Sequence, residues 1–137
     1  MQSSDKLESY MLRMDLPHEP IAGSENTWLV APENLRHSAI VVRAEDPIVV
    51  FTAPVFEVRE TTPNREALYR ELLVLNEELL HAAYGLQGKQ IVLSGALQME
   101  NLDFAEFQAM IDDMTLSLDI HLDRLAPWRP ENSQEAS

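Results

Sequence analysis

A chain of 137 residues with no cysteine is expected to fold on one hydrophobic core without a disulfide framework. Its 23 acidic and 10 basic side chains give a formal charge of −13, a balance that repels nucleic-acid phosphates and anionic membranes and favours neutral or basic protein partners. No apolar run reaches about 18 residues and the opening MQSSDKLESY lacks a basic n-region, so neither a membrane span nor a signal peptide is expected and the cytoplasm is the expected compartment.

The first predicted element is a helix over residues 5–14, capped by Ser3 or Ser4, with Leu7, Tyr10, Met11 and Met14 at helical spacing. Pro17 and Pro20 stop it. Residues 27–31 (TWLVA) read as a short strand, Pro32, Glu33 and Asn34 as a turn, and residues 38–44 (SAIVVRA) as a β-branched strand. Glu45, Asp46 and Pro47 turn the chain into a third strand over 48–58. Pro54 within it has no N–H for a ladder, so the strand either lies at an edge there or bulges.

Thr62 and Pro63 then start a helix, with Pro63 at its first position, running to about His81 on a stripe of Leu68, Leu72, Leu75 and Leu79. Residues 82–86 and 90–98 read as a hairpin across Gln87-Gly88. Asp103 and Glu106 have capping-box spacing before the last helix, 103–125. Phe104, Phe107, Ile111, Met114, Leu118, Leu122 and Leu125 form one face of that helix. Residues 126–137, APWRPENSQEAS, read as a flexible tail after a single domain over 1–125. The whole is an α+β domain in the order α-β-β-β-α-β-β-α.

Catalytic equipment is missing. His18, His37, His81 and His121 form no H-x-x-x-H pair and there is no thiol, which leaves a zinc site without a signature. Asp112-Asp113 and Glu77-Glu78 are adjacent, so on a helix their carboxylates diverge by about 100° rather than sharing a site. No calcium loop, phosphate loop or nucleophile elbow is present. His121 reads as a solvated or hydrogen-bonded histidine, and His81 as one favoured by a helix C-terminus. The chain reads as a non-enzyme with no catalytic metal and no organic cofactor.

The apolar inventory exceeds what one side of a small sheet covers. Tyr69, Leu73, Leu80, Met110, Leu116 and Ile120 are the surplus, and they are the candidates for a partner or dimer interface. The rival expectation is that the first helix folds back over them within one chain.

Three segments carry a family resemblance: ESYMLRMDL at 8–16, PIVVFTAPVFEV at 47–58, and LLVLNEELLHAAYGLQGKQIVLSGALQMENLDFAEFQAMID at 72–112. The most specific pieces are L-x-x-L-N at 72–76, H-A-A-Y-G at 81–85 and N-L-D-F-x-E-F-Q at 101–108. Together they resemble the YbjN domain family, Tir-chaperone-like or type III secretion chaperone-like. The resemblance implies a bent antiparallel sheet packed by helices. It also implies a small, acidic, non-catalytic homodimer that holds a segment of a partner protein on apolar grooves or sheet edges. Members of the YbjN type imply the alternative of a sensory or regulatory protein acting on a folded signalling partner.

Overall fold

The structure, a computed structural model, describes residues 3–32 and 39–130, with side chains from Asp5 onward. Ser3 and Ser4, expected as caps before a helix from Asp5, are already helical, and their side chains, the Glu33–Asn34 turn and the start of a strand at Ser38 lie outside the described residues. Within them, α1 spans Ser3–Arg13, α2 Arg65–Glu78 and α3 Phe104–Arg124. The strands are β1 His18–Pro20, β2 Thr27–Val30, β3 Ile40–Glu45, β4 Ile48–Glu57, β5 Ala83–Gln87 and β6 Gln90–Gln98. They form one antiparallel sheet in the order β1-β2-β3-β4-β6-β5.

Side chains alternate across each strand, and the helices cover one face. Val49, Phe51 and Ala53 of β4 are buried there, as are Val42 of β3 and Ile91 and Leu93 of β6. Against them lies the apolar stripe of α3, with the rings of Phe51 and Phe107 5.5 Å apart. All seven predicted stripe residues pack inward except Phe104, which is half-buried under the Arg13 guanidinium, 3.9 Å from its ring centroid. Leu7 and Met11 of α1, and Leu68 and Leu75 of α2, complete the core.

At Pro54 the bulge is seen: the register with β6 shifts between Pro54 and Phe56, and among the described residues the ladder to β3 ends at Thr52. The capping box at Asp103 is complete: Glu106 N–H donates to the Asp103 carboxylate and Asp103 N–H donates to the Glu106 carboxylate.

Four expectations need correction. Residues 18–20, read only as a helix stop, form the short strand β1, because Pro17 O and Ile21 N–H pair with Ala31 and Thr27 on either side of it. Pro63 is not the first helical residue: α2 starts at Arg65 after Asn64 in the left-handed region, φ 49°, and ends at Glu78 where Leu79 turns extended. The hairpin turns at Gly88-Lys89, one residue late, because Gly88 accepts φ 62°. The stretch after Leu125 begins with structure, a 3-10 turn at Ala126–Trp128 that packs Trp128 on the core.

Candidate protein-binding face

Helix α2 is apolar on two sides. Leu68, Leu72 and Leu75 face the core, whereas Leu73 is 71% exposed, Val74 is 46% exposed and Tyr69 is 38% exposed. Beside them runs β5, an outermost strand, whose Tyr84 and Leu86 point to the helix face of the sheet. Tyr84 is buried, while Leu86 is 53% exposed. A groove of about 210 Å³ results, walled by Tyr69, Leu73 and Leu86 and floored by Leu72 and Ile91. Across Leu73 the outer surface of α2 continues as a shallow hollow with Val74 at its base and Glu66, Arg70, Glu77 and Glu78 at its rim.

Polar contacts fix this face to the body of the protein. Tyr84 N–H donates to Asn76 Oδ1 at 2.7 Å and Asn76 Nδ2 donates to Tyr84 O at 3.3 Å. The Tyr84 hydroxyl lies 2.9 Å from His121 Nδ1, and His121 Nε2 lies 3.5 Å from Glu78 Oε1. Arg124 joins Glu78 at 3.1 Å and Glu71 at 2.6 Å. The conspicuous family-type residues Asn76 and Tyr84 therefore act as fasteners between α2, β5 and α3.

The electrostatics follow from these neighbours. Burial holds His121 below its ordinary pKa, and Glu78 partly opposes that. Burial pushes the Tyr84 hydroxyl up. Glu78 is held down chiefly by its hydrogen bond from Arg124. Both His121 nitrogens have partners, and the acid beside it is paired with an arginine. The set ties β5, α2 and α3 together. Among the described residues no group of three or more His, Cys, Asp or Glu could hold a metal ion. Among them, too, no helix is long and apolar enough to cross a membrane.

Of the six surplus residues, Tyr69 and Leu73 meet in the groove. Leu80, just past α2, is 84% exposed but outside the groove, and so are Leu116 and Ile120, one turn apart on the outer side of α3. Met110 is not a surface residue. It is buried with its Sδ and Cε against Gly95, where a Cβ would stand 3.0 Å from Cε and 2.7 Å from His81 O. A glycine is required at that approach, and Met110 fills the space it leaves. The first helix does not cover the remainder: α1 buries Leu7 and Met11 in the core while Leu73, Leu80, Leu116 and Ile120 stay exposed. Sequence reasoning missed Val74 and Leu86. The available signal for Leu86 was its place on the first strand of a terminal hairpin, which an edge position leaves half covered.

Similar folds are known. E. coli YbjN, described as a candidate transcription regulator, matches with a TM-score of 0.64 at 16% identity over 85% of this chain and 87% of that one. A chain of the ExoU–SpcU heterodimeric complex from the type III secretion system of Pseudomonas aeruginosa matches with a TM-score of 0.62 at 14% identity, over 90% and 97%. A chain of the HopA1–SchA chaperone–effector complex matches with a TM-score of 0.57 at 11% identity, over 91% of each. No curated protein sequence matches. The CesT_Tir_1 family model matches residues 1–129, nearly the whole chain, and the protein belongs to that family, with a type III secretion chaperone-like fold.

Proposed function

We propose that this protein is a non-enzymatic protein-binding module, chaperone-like or adaptor, that holds a segment of a partner protein on the apolar face of α2 and β5. The observation that carries this reading is the groove itself: Tyr69, Leu73 and Leu86 stand exposed side by side on an otherwise acidic molecule. Burying their apolar surface is worth about 25 cal/mol per Å² before the costs of association. Glu66 and Glu77 at the rim against Arg70, beside a Glu78 already paired with Arg124, favour a segment with apolar anchors and basic flanks. Membership of a family whose fold recurs in chaperone–effector complexes supports a protein partner. The match to YbjN supports a second reading, a regulator bound to a folded signalling protein through the same face.

The homodimer belongs to the same reading. Two α2 helices crossing antiparallel over Leu73 and Val74 would set Arg70 of each copy against Glu77 of the other. Two tests address the reading. An array of short peptides pairing apolar anchors with Lys or Arg flanks should bind the protein, and Leu73→Glu or Leu86→Glu should each abolish binding with the helical signal retained. Binding that survives both substitutions would move the site elsewhere. In light scattering at micromolar concentration a dimer mass is expected. Arg70→Glu and Glu77→Arg should each split it and the double reversal restore it; a monomer mass throughout would remove the dimer and leave the peptide result standing.

A further inference from the structure

A strand at the rim of an open sheet turns alternate N–H and C=O groups outward, where another strand can pair with them. Among the described residues this sheet has two rims, β1 and β5. On β1, Ala31 N–H donates to Pro17 O and Ile21 N–H to Thr27 O, so residues 17, 19 and 21 face β2 while His18 and Pro20 face out. Pro20 has no N–H, and that short rim offers one complete rung, at His18.

The β5 rim is longer. Gln87 pairs with Gln90 across a two-residue turn, and Gly85 with Val92, so these residues face β6 and Tyr84 and Leu86 face out. Gly85 between them brings no side chain to obstruct an approach, and nothing lies within 4 Å of where its Cβ would be. Two successive rungs on an unobstructed strand make a template for pairing. Among the described residues, only the rung at Leu86 is open. The Asn76 side chain accepts from Tyr84 N–H at 2.7 Å and donates to Tyr84 O at 3.3 Å. A primary amide carries the same donor and acceptor as a peptide group, and here it occupies the place of the next strand's peptide.

We propose that Asn76 is an edge guard: its amide stands in for a seventh strand at Tyr84 and keeps β5 from pairing with a further strand, of this chain or of another. The guard rests on these hydrogen bonds alone, and it stands or falls independently of whether the neighbouring groove takes a partner. It also explains an asparagine in the last turn of α2, where helix propensity favours other residues.

The test uses the full chain. In Asn76→Ala, Tyr84 N–H should exchange with deuterium roughly five- to tenfold faster, the loss of one net hydrogen bond. The particle mass should rise above the wild-type value with concentration, whatever that value is. Adding Leu86→Pro, which removes one of the two N–H groups then facing outward and sets a proline in the rim, should return the mass to wild type. A purely tethering asparagine would give faster exchange without association. An unchanged mass, or association that Leu86→Pro does not reverse, overturns the proposal. Should Asn76→Ala fail to fold, Asn76→Leu keeps the size of the side chain and loses both hydrogen bonds to Tyr84. Its association, reversed by Leu86→Pro, supports the guard, and a wild-type mass in that variant overturns it.

Discussion

Helices α2 and α3 read alike in sequence, each with one apolar stripe and a few apolar residues beyond it, yet they are held in place differently. Helix α3 has 21 residues, a complete capping box and a stripe sunk in the core. Helix α2 has 14 residues, begins on Asn64 with no side-chain cap, and shows Leu73 and Val74 to solvent. Helix α3 is placed by burial, whereas α2 is placed by burial on one side and by polar fasteners, Asn76 to Tyr84 and Glu71 and Glu78 to Arg124, at its margins. Burial alone thus places the long, capped helix, whereas the short, uncapped one is held at its margins by polar contacts as well.

The sharpest way to break this comparison is truncation on each helix. Phe107 is fully buried between Tyr10 and Phe51, so Phe107→Ala should cost about 3–5 kcal/mol. Leu73→Ala, on the open side of α2, should stay within about 0.5 kcal/mol for the isolated chain. Urea unfolding of both variants measures the contrast, and equal losses would mean that Leu73 is core after all. Next in size is the contact that supports α3 from β6. In Gly95→Ala the new methyl meets backbone at His81 O, which cannot swing away as Met110 can, and overpacking of that kind costs about 1–3 kcal/mol. Thermal melting of Gly95→Ala beside Gly85→Ala, where the space is open, isolates the clash. Smaller again, Asp103→Ala removes a cap that α2 never had and should cost about 0.5–2 kcal/mol.

How much of this was legible depended on whether the signal was local. The α+β class, five of the six strands, the capping box and the inward stripe of α3 all follow from periodicity and turn chemistry within short windows. Strand β1 escaped because Pro17 before it and Pro20 within it are usual strand breakers and its three residues owe their conformation to β2. Met110 looked like surplus because the void beside it is made by Gly95, fifteen positions away and invisible to a helical wheel. In the candidate face, Tyr69 and Leu73 were found from α2 alone, but Leu86 required the knowledge that β5 is the last strand. His121 reads from sequence as a solvated or hydrogen-bonded histidine, and it is buried and hydrogen-bonded. Its partners Tyr84 and Glu78 come from two other segments, and no spacing rule connects them.

That histidine gives the smallest and most specific prediction. Burial holds the folded-state pKa of His121 below its value in the unfolded chain, about 6.5, so the native protein favours the neutral ring. The neutral ring's advantage is complete above the unfolded value. As the pH falls below it, the unfolded chain takes up a proton that the folded chain does not, and stability declines until the folded pKa is passed. Glu78, 3.5 Å from Nε2, draws the folded pKa back up, and Arg124 and Asp113 act with opposite signs, which keeps the effect modest. Melting temperatures of the wild type should therefore fall between pH 7.5 and pH 5.5 by more than those of His121→Gln, which keeps a hydrogen-bonding side chain near Tyr84 without titrating. Glu78→Gln should steepen the decline, since it removes the charge that stabilises the protonated ring. Parallel curves for all three proteins would show that the link between Tyr84, His121 and Glu78 does not sense protons and fastens α2 to α3 by geometry alone.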